Sequence, residues 1–184
     1  MSVQRRLEDK SSRTAAYTCT YRASSYLEKE IHYKSDDYIA VKLLPRFVKL
    51  LLKLKILNLK GRLYPKGIYL YVIARTKYID SVFGESIKKG YEQILIMGAG
   101  FDSRAIRFIN SEESNVKVYE TDTYYTQEAK IKQLEKRGVS IPANNIYISI
   151  DFNKEDLRNK LGEYKFELNK KTLFIIEGIT MYLS

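Results

Sequence analysis

Cysteine and histidine are nearly absent from the sequence. The 184 residues include one cysteine, Cys19, and one histidine, His32. A lone cysteine excludes a disulfide within the chain and a metal cluster held by several thiolates. A lone histidine excludes multi-histidine metal sites and histidine-based triads, unless carboxylates supplement the single ring. Chemistry that depends on several of these side chains is therefore not expected.

Long apolar segments are missing as well. No stretch of about 18 or more uncharged apolar residues occurs, so we expect no membrane-spanning helix. The segment Met1–Lys10 is charged and lacks an apolar core, which is not the pattern of a signal peptide. Together with the single cysteine, these absences predict a cytoplasmic protein.

Acidic residues are fewer than basic ones. The chain has 32 lysines and arginines against 22 aspartates and glutamates, a formal net charge of +10. Such a surplus is compatible with nucleic acid or another acidic partner. The lysines are spread along the whole sequence, however, and no RNA-binding or zinc-finger motif accompanies them. We therefore interpret the charge as a solvated surface and expect no nucleic acid partner.

The first half of the sequence favours helices. Helical patterns cover Ser12–Glu30, Arg46–Lys60 and Gly67–Lys89. The middle one is basic and amphipathic, so it could lie on an anionic membrane or pack against the rest of the protein. We interpret residues 1–90 as an N-terminal helical region that covers a cofactor or substrate.

The second half alternates between strand and helix patterns. Apolar runs predict four strands, which are Gln93–Met97, Val116–Glu120, Ile146–Ile150 and Thr172–Ile176. Helices are predicted between them, at Thr126–Arg137 and from an N-cap at Asn153 to Leu161. This order predicts an α/β fold over residues 91–184, a Rossmann-like doubly wound parallel sheet with helices on both faces.

A glycine turn follows the first strand. Gly98 and Gly100 allow a sharp turn and a close backbone approach to a ligand. The third glycine of a dinucleotide-binding turn is replaced by Ser103, and Asp102 stands where a pyrophosphate would need a neutral or basic surface. An acid at this place suits a cationic or hydroxyl-rich ligand. The turn therefore favours S-adenosylmethionine over NAD.

Acidic residues stand at the ends of the later strands, where ligands bind in such sheets. Asp122, about 20 residues after the glycine turn, is placed to accept hydrogen bonds from ribose hydroxyls. Asp151 with Phe152 could bind the adenine, and Glu177 could bind the methionine ammonium or neutralise the sulfonium. Each acid could instead cap a helix or lie in a solvated loop.

Several motifs together resemble one family. They are Thr14–Ala23, Arg75–Asp80, Met97–Arg104, Tyr119–Asp122, Ile150–Phe152 and Glu177–Leu183. In this combination they look like the successive motifs of the leucine carboxyl methyltransferase family, which are class I S-adenosylmethionine-dependent O-methyltransferases. The resemblance runs from about residue 13 to the end of the sequence.

The resemblance implies a site for S-adenosylmethionine. Its residues would be Arg22, Arg75, Gly98, Gly100, Asp122, Asp151, Phe152 and Glu177. Arg75 would bind the methionine carboxylate, with Arg22 beside it, and Glu177 would hold the amino end of the cofactor. The resemblance also implies a methyl acceptor, a carboxylate or hydroxyl of a small molecule or of a protein C-terminus. A carboxylate acceptor needs no general base, which agrees with the scarcity of histidine and cysteine.

The family differs from this chain at the end of the sheet. Class I methyltransferases have a seven-stranded sheet, whereas this sequence stops at Ser184, after the fourth strand motif. We therefore expect the C-terminal strands to be missing and Leu173–Ile176 to form an exposed apolar edge that could drive self-association. An inactive methyltransferase remnant acting as a basic binding module, a NAD-dependent oxidoreductase and an RNA methyltransferase stay open as alternatives.

Overall fold

The computed structural model describes residues 12–54, 56, 67–109 and 115–179. Its elements, in chain order, are helices α1 (Arg13–Tyr26), α2 (Tyr38–Leu43), α3 (Arg46–Lys53) and α4 (Ile68–Lys88), strand β1 (Gln93–Met97), helix α5 (Arg104–Phe108), strand β2 (Lys117–Asp122), helix α6 (Tyr124–Lys136), strand β3 (Asn145–Ser149), helix α7 (Leu157–Glu163) and strand β4 (Thr172–Ile176). Met1–Lys10, most of the predicted helix beyond Leu54, and residues 180–184 lie outside the described residues.

The strands form a parallel sheet in the order β3-β2-β1-β4. Met97, at the end of β1, pairs with Thr121 on one side and with Ile176 on the other. The carboxyl ends of the strands therefore meet at one edge, which we call the carboxyl edge. Along the chain, β2 and β3 are added in turn on one side of β1, and β4 is then added on the other side of β1. This reversal is the switch point at which doubly wound sheets bind ligands, and the predicted fold class is confirmed.

Successive side chains of a strand point to opposite faces of the sheet, and apolar side chains are buried on both faces. Ile94 and Ile96 of β1 pack with Phe83 of α4 and Ala105 of α5 on one face. Leu95 of β1 points the other way, into a cluster that also contains Tyr119, Ile148 and Leu161 of β2, β3 and α7. Burial of these apolar side chains makes the main favourable contribution to the free energy that holds the helices against both faces of the sheet.

The N-terminal helices pack on the same body. Cys19 of α1 and Ile39 of α2 share one apolar cluster with Leu134 of α6. The helical region is therefore held against the helix that follows β2. None of the helices in the described part of the chain is long and apolar enough to cross a membrane. Helix α3 begins after Pro45, as predicted, and exposes Phe47 to solvent.

Several predicted boundaries are wrong. The first helix ends at Tyr26, four residues before the predicted end at Glu30, and residues 27–34 form turns. Helix α2, which the sequence did not reveal, begins where the side chain of Asp37 accepts a hydrogen bond from the backbone N–H of Ala40. The N-cap of α7 is Asp156 rather than Asn153.

The shift at α7 has a local cause. The side chain of Asp151 accepts a hydrogen bond from the backbone N–H of Asn153, while Glu155 accepts one from the backbone N–H of Asp151. These bonds hold residues 151–155 in a turn, so that the next acid, Asp156, caps the helix by accepting from Asn159. Gly162 lies inside α7, which ends at Glu163.

Strand β2 also differs from its predicted bounds. It runs from Lys117 to Asp122, two residues beyond the predicted end at Glu120. Asp122 therefore belongs to the strand, and its backbone oxygen accepts a hydrogen bond from Ile150, just past β3. The ladder fixes the position of Asp122 more firmly than a loop would.

Strand β4 lies at the edge of the sheet that the described residues form. Phe174 is 56% exposed and Ile176 55% exposed. Among the described residues, β4 therefore presents apolar side chains to solvent on one face of the sheet.

Candidate functional site

The glycine turn is crowded from two sides. Gly98 and Gly100 have φ values of 66° and 53°, a region that favours glycine. A Cβ on Gly98 would lie 2.8 Å from Cδ1 of Ile179, and one on Gly100 would lie 2.8 Å from Cβ of Ala15. Residues at these two positions must therefore lack a side chain, because α1 and the segment after β4 both close on the turn.

Asp122 is tied directly to this turn. One of its carboxylate oxygens accepts a 2.7 Å hydrogen bond from the backbone N–H of Gly100, and the other accepts a 2.7 Å bond from that of Thr123. The carboxylate is nearly buried, and burial raises its pKa despite these two donors. Oδ1 also lies 3.3 Å from the hydroxyl of Thr123, whereas Oδ2, which accepts from Gly100, keeps capacity for a further hydrogen bond. A partly desolvated acceptor of this kind suits a ligand that brings its own hydroxyl donors.

The start of α1 lies beside the same carboxylate. The backbone N–H of Ser12 donates to Oγ1 of Thr126 over 3.1 Å, and the hydroxyls of Thr126 and Thr123 are 3.0 Å apart. Thr123 in turn contacts Asp122. The helical region therefore contributes to the surroundings of the β2 acid.

Arg75 and Glu177 meet although they are 102 positions apart in the sequence. Nε of Arg75 donates to Oε1 of Glu177 over 2.8 Å. The side chains are 24% and 16% exposed, and the guanidinium lies 5.2 Å from the ring centre of Tyr71. Glu177 directly follows β4, so the pair lies at the carboxyl edge beside the switch point. The structure thus brings together the two residues that the sequence assigned to the amino-acid end of the cofactor.

Arg104 is the centre of a buried ionic cluster that the sequence did not reveal. Its Nε donates to Asp80 over 2.7 Å, and its Nη1 donates to both Asp102 and Oε2 of Glu177, the latter over 3.2 Å. Burial opposes ionisation of Asp102, but the charges of Arg104, Lys130 and Arg22, together with the backbone N–H of Arg104, outweigh it, and the pKa is lowered to about 2. The sequence analysis interpreted Asp102 as an acid suited to a cationic or hydroxyl-rich ligand, whereas in the structure its carboxylate is paired with Arg104. The sequence feature that could have indicated this ionic cluster is the acid Asp80, which lies in the same motif as Arg75.

Arg22 anchors the helical region to the glycine turn. Its Nε donates to Asp37 over 2.8 Å, and its Nη2 donates to the carbonyl of Phe101 in the turn. Asp37 is fully buried and also accepts from the hydroxyl of Ser103. Burial would raise the pKa of Asp37, but Arg22 and Arg107 lower it further than burial raises it. The structure therefore gives Arg22 two protein partners, and a contact of Arg22 with a cofactor stays a prediction.

Asp151 and Phe152 lie just past β3, both partly exposed. Asp151 takes part in the turn described above, and its other carboxylate oxygen is 3.5 Å from Nζ of Lys154. Both residues are at the carboxyl edge, as predicted. Their contact with adenine stays a prediction.

Glu120 has a different environment from the other acids at the strand ends. Its carboxylate is buried, paired with the ammonium of Lys130 on α6, and bonded to the side-chain amide of Asn145. Burial raises its pKa. This pair lies within the packing between the sheet and α6, so Glu120 is a core residue. Asp122, two positions later, is the acid of β2 that belongs to the site.

The remaining reactive groups do not form a catalytic centre. Cys19 is buried, and burial raises the pKa of its thiol to about 12, so it is a poor nucleophile near neutral pH. Among residues 12–54, 56, 67–109 and 115–179, the histidines, cysteines and acids form no group that could hold a metal ion. The arrangement is suited to holding a polar, zwitterionic ligand with hydroxyl groups.

Comparison with known proteins identifies the family of this chain. A sequence model of the family described as leucine carboxyl methyltransferase matches residues 17–184. A protein of Mycobacteroides abscessus named "Putative S-adenosyl-L-methionine-dependent methyltransferase" is 32% identical over 110 residues, which are 60% of this chain and 36% of that protein. A Bacillus subtilis protein of the same description is 30% identical over 112 residues, 61% of this chain and 36% of that protein.

The matched part therefore spans about a third of the length of these relatives, since it covers 36% of each. The family match covers nearly the whole chain and spans all the positions predicted to bind the cofactor. The resemblance read from the motifs is thereby confirmed. The chain belongs to the leucine carboxyl methyltransferase family.

Proposed function

We propose that this chain binds S-adenosylmethionine at the carboxyl edge of its sheet and forms the cofactor-binding part of an S-adenosylmethionine-dependent O-methyltransferase. The family and the names of both relatives support this cofactor. The observation that carries the proposal is the arrangement of Arg75, Glu177 and Asp122 around the turn at Gly98 and Gly100. A buried ribose acceptor and a half-buried pair of opposite charges lie at the switch point of one sheet.

The chemistry of these residues fits the cofactor group by group. S-adenosylmethionine has an amino-acid end with a carboxylate and an ammonium, and Arg75 and Glu177 offer the opposite charges. Its ribose has two hydroxyl donors, for which Asp122 offers a buried carboxylate. Asp151 and Phe152 are the residues we assign to the adenine. When bound, the cofactor would supply an electrophilic methyl group, and the protein would orient it and exclude water.

We assign the acceptor to carboxylates or hydroxyls of a small molecule or of a protein C-terminus. A carboxylate attacks without losing a proton, so it needs no general base. The buried, high-pKa thiol of Cys19 agrees with such a base-free reaction. Of the tyrosines that could deprotonate a hydroxyl acceptor, Tyr21 is buried in the core, and Tyr182 lies outside the described residues. We favour carboxylate acceptors because they need no such base.

The edge strand β4 supports a further proposal about association. Phe174 and Ile176 on β4 are more than half exposed, and an unpaired apolar edge is a template for another strand. We propose that β4 pairs with a strand of another copy of this chain. The cytoplasmic location expected from the composition stays a prediction that cell fractionation would test.

Isothermal titration calorimetry tests the proposed function. The chain should bind S-adenosylmethionine and S-adenosylhomocysteine but not NAD, and Asp122→Ala should weaken both bound ligands. Glu163→Ala is a matched control, because Glu163 is 60% exposed at the far end of α7, which runs away from the carboxyl edge. Binding of NAD without binding of S-adenosylhomocysteine would overturn the proposal.

A further inference from the structure

The carboxylate of Glu177 is held by two arginines with unlike surroundings. Oε1 accepts from Nε of Arg75 over 2.8 Å, and Oε2 accepts from Nη1 of Arg104 over 3.2 Å. The Arg75 side chain is 24% exposed, whereas that of Arg104 is 4% exposed. One partner of Glu177 is therefore accessible to a ligand, and the other is enclosed by the protein.

Arg104 is fixed by more acids than Arg75. Besides Glu177 it is paired with Asp80 and Asp102. Burial lowers the pKa of Arg104, but Asp102, Glu177 and Asp80 together raise it above its ordinary value. Separating a buried guanidinium from these acids would leave uncompensated charges in the interior. Arg104 therefore stays in place while the surface of the site changes.

Asp80 is itself held from a second side. Its two carboxylate oxygens accept from Nη1 and Nη2 of Arg107 over 2.8 and 2.9 Å, the two-pronged geometry that fixes a carboxylate most firmly. Arg107 and Arg104 are on α5, and Asp80 is on α4. The position of Arg104 is thus set by packing between two helices and does not depend on a ligand.

Arg75 has fewer ties. Among the described residues, its polar and ring contacts are the bond to Glu177 and the ring of Tyr71. A ligand carboxylate that binds the Arg75 guanidinium competes with Oε1 of Glu177 for it. Once Arg75 turns to the ligand, Oε1 is left free to accept from an ammonium, provided that Glu177 does not move with Arg75.

We propose that Arg104 is a positioning residue that holds Oε2 of Glu177 and so keeps Oε1 directed at the amino group of the ligand. This inference rests on the proposed function. Arg104 does not touch the ligand; it acts through Glu177. Its consequence is selectivity for nucleoside ligands that have an amino-acid end over those that lack one.

The test compares two ligands in calorimetry, S-adenosylhomocysteine and 5′-methylthioadenosine, which lacks the amino-acid end. Arg104→Lys keeps the charge but loses the planar fork that spans three acids. The dissociation constant for S-adenosylhomocysteine should rise about tenfold, which corresponds to the loss of one charge-assisted hydrogen bond. The dissociation constant for methylthioadenosine should change less than about threefold. An equal loss for both ligands, or no loss for either, overturns the inference.

A double-mutant cycle checks that Arg104 acts through Glu177. In a Glu177→Gln background, Arg104→Lys should have little further effect on S-adenosylhomocysteine, because the carboxylate that it positions is already gone. A full additional loss would show that Arg104 acts by another route. Asp80→Asn, which loosens Arg104 without approaching the ligand, should give a smaller loss with the same selectivity, and it replaces Arg104→Lys if that variant does not fold.

Failure of the inference is distinct from failure of the proposed function. If the wild-type chain binds neither ligand, the proposed function is wrong and the inference falls with it. If the wild-type chain binds S-adenosylhomocysteine but Arg104→Lys shows no selective loss, only the positioning role is wrong.

Discussion

The carboxylate of Asp122 accepts a 2.7 Å hydrogen bond from the backbone N–H of Gly100. This bond joins the end of β2 to the turn after β1, so the two parts of the proposed cofactor site form one unit. A change at Asp122 removes a ligand acceptor and also releases a backbone donor of the turn. The first prediction depends on this double role.

Replacing Asp122 should weaken cofactor binding strongly. Asp122→Ala removes two charge-assisted hydrogen bonds to the ribose, each worth about 1.5–3 kcal/mol. The dissociation constant for S-adenosylhomocysteine, measured by calorimetry, should rise at least tenfold, the effect of about 1.4 kcal/mol. Glu163→Ala, far from the carboxyl edge, should leave it unchanged. An affinity of Asp122→Ala within threefold of wild type would contradict the role of Asp122.

Cofactor affinity should also fall in mild acid. Burial raises the pKa of Asp122, and ribose hydroxyls form stronger hydrogen bonds with the ionised carboxylate than with the protonated acid. Affinity for the cofactor should therefore be constant above this raised pKa and should decline as the pH falls through it. This decline should occur at a higher pH than it would for an ordinary aspartate, whose pKa is about 3.9. Calorimetry between about pH 7.5 and 5 measures this. Asp122→Asn should bind weakly and without the pH dependence; a parallel decline in both proteins would assign the effect to another group.

Arg75 should not tolerate lysine. Arg75→Lys keeps the charge but loses the planar fork that binds a carboxylate with two parallel bonds. We expect affinity for S-adenosylhomocysteine to fall about tenfold, as one charge-assisted hydrogen bond is lost. Affinity for 5′-methylthioadenosine, which has no carboxylate, should stay nearly constant and serves as the control. A variant that loses both ligands equally would point to a structural role for Arg75.

Asp102 should contribute to stability in a defined pH window. Its pKa is lowered to about 2 in the folded protein, against about 3.9 in the unfolded chain. Its ionised form therefore stabilises the fold by about 2–3 kcal/mol above pH 4, and this is lost as the pH falls toward 2. Asp102→Asn should lower the free energy of unfolding in urea at pH 7, and its difference from wild type should narrow below about pH 4. A difference that is independent of pH would refute this account.

The exposed edge of β4 should drive self-association. Phe174 is 56% exposed on this edge strand, and lysine at such a position is a common means of blocking strand pairing. Phe174→Lys should therefore reduce the apparent mass measured by light scattering over a concentration series. Leu168→Lys is the control, because Leu168 is 69% exposed but lies outside the strand. A wild-type chain that stays monomeric at every accessible concentration would contradict the proposal.

The sequence was sufficient to predict the elements of the sheet. Apolar runs predicted β1 and β4 with their observed bounds, because a strand buried on both faces requires such a run locally. The glycine turn was also predicted from the sequence. Its positions require glycine because the backbone conformation and the close approach of Ala15 and Ile179 exclude side chains there. The predicted N-cap of α7 was wrong. Several neighbouring polar residues could cap this helix, and the turn before the helix determines which acid does so.

Only the tertiary structure decided which charges meet. Nothing local distinguishes Glu120, buried against Lys130, from Asp122, bonded to the glycine turn. The pairing of Arg75 with Glu177, and of Arg104 with three acids, follows from the placement of β4 beside β1 and of α4 beside α5.

The physical reason is the range of the forces involved. Periodicity and turn chemistry act over a few residues, so the sequence by itself determined the strands, the turn and the residue types at the carboxyl edge. Ion pairs between residues up to 102 positions apart depend on strand order and helix packing, which are set by burial of apolar surface throughout the chain. The sequence thus supplied the residues at the carboxyl edge, and the fold decided which acids and arginines pair with one another there.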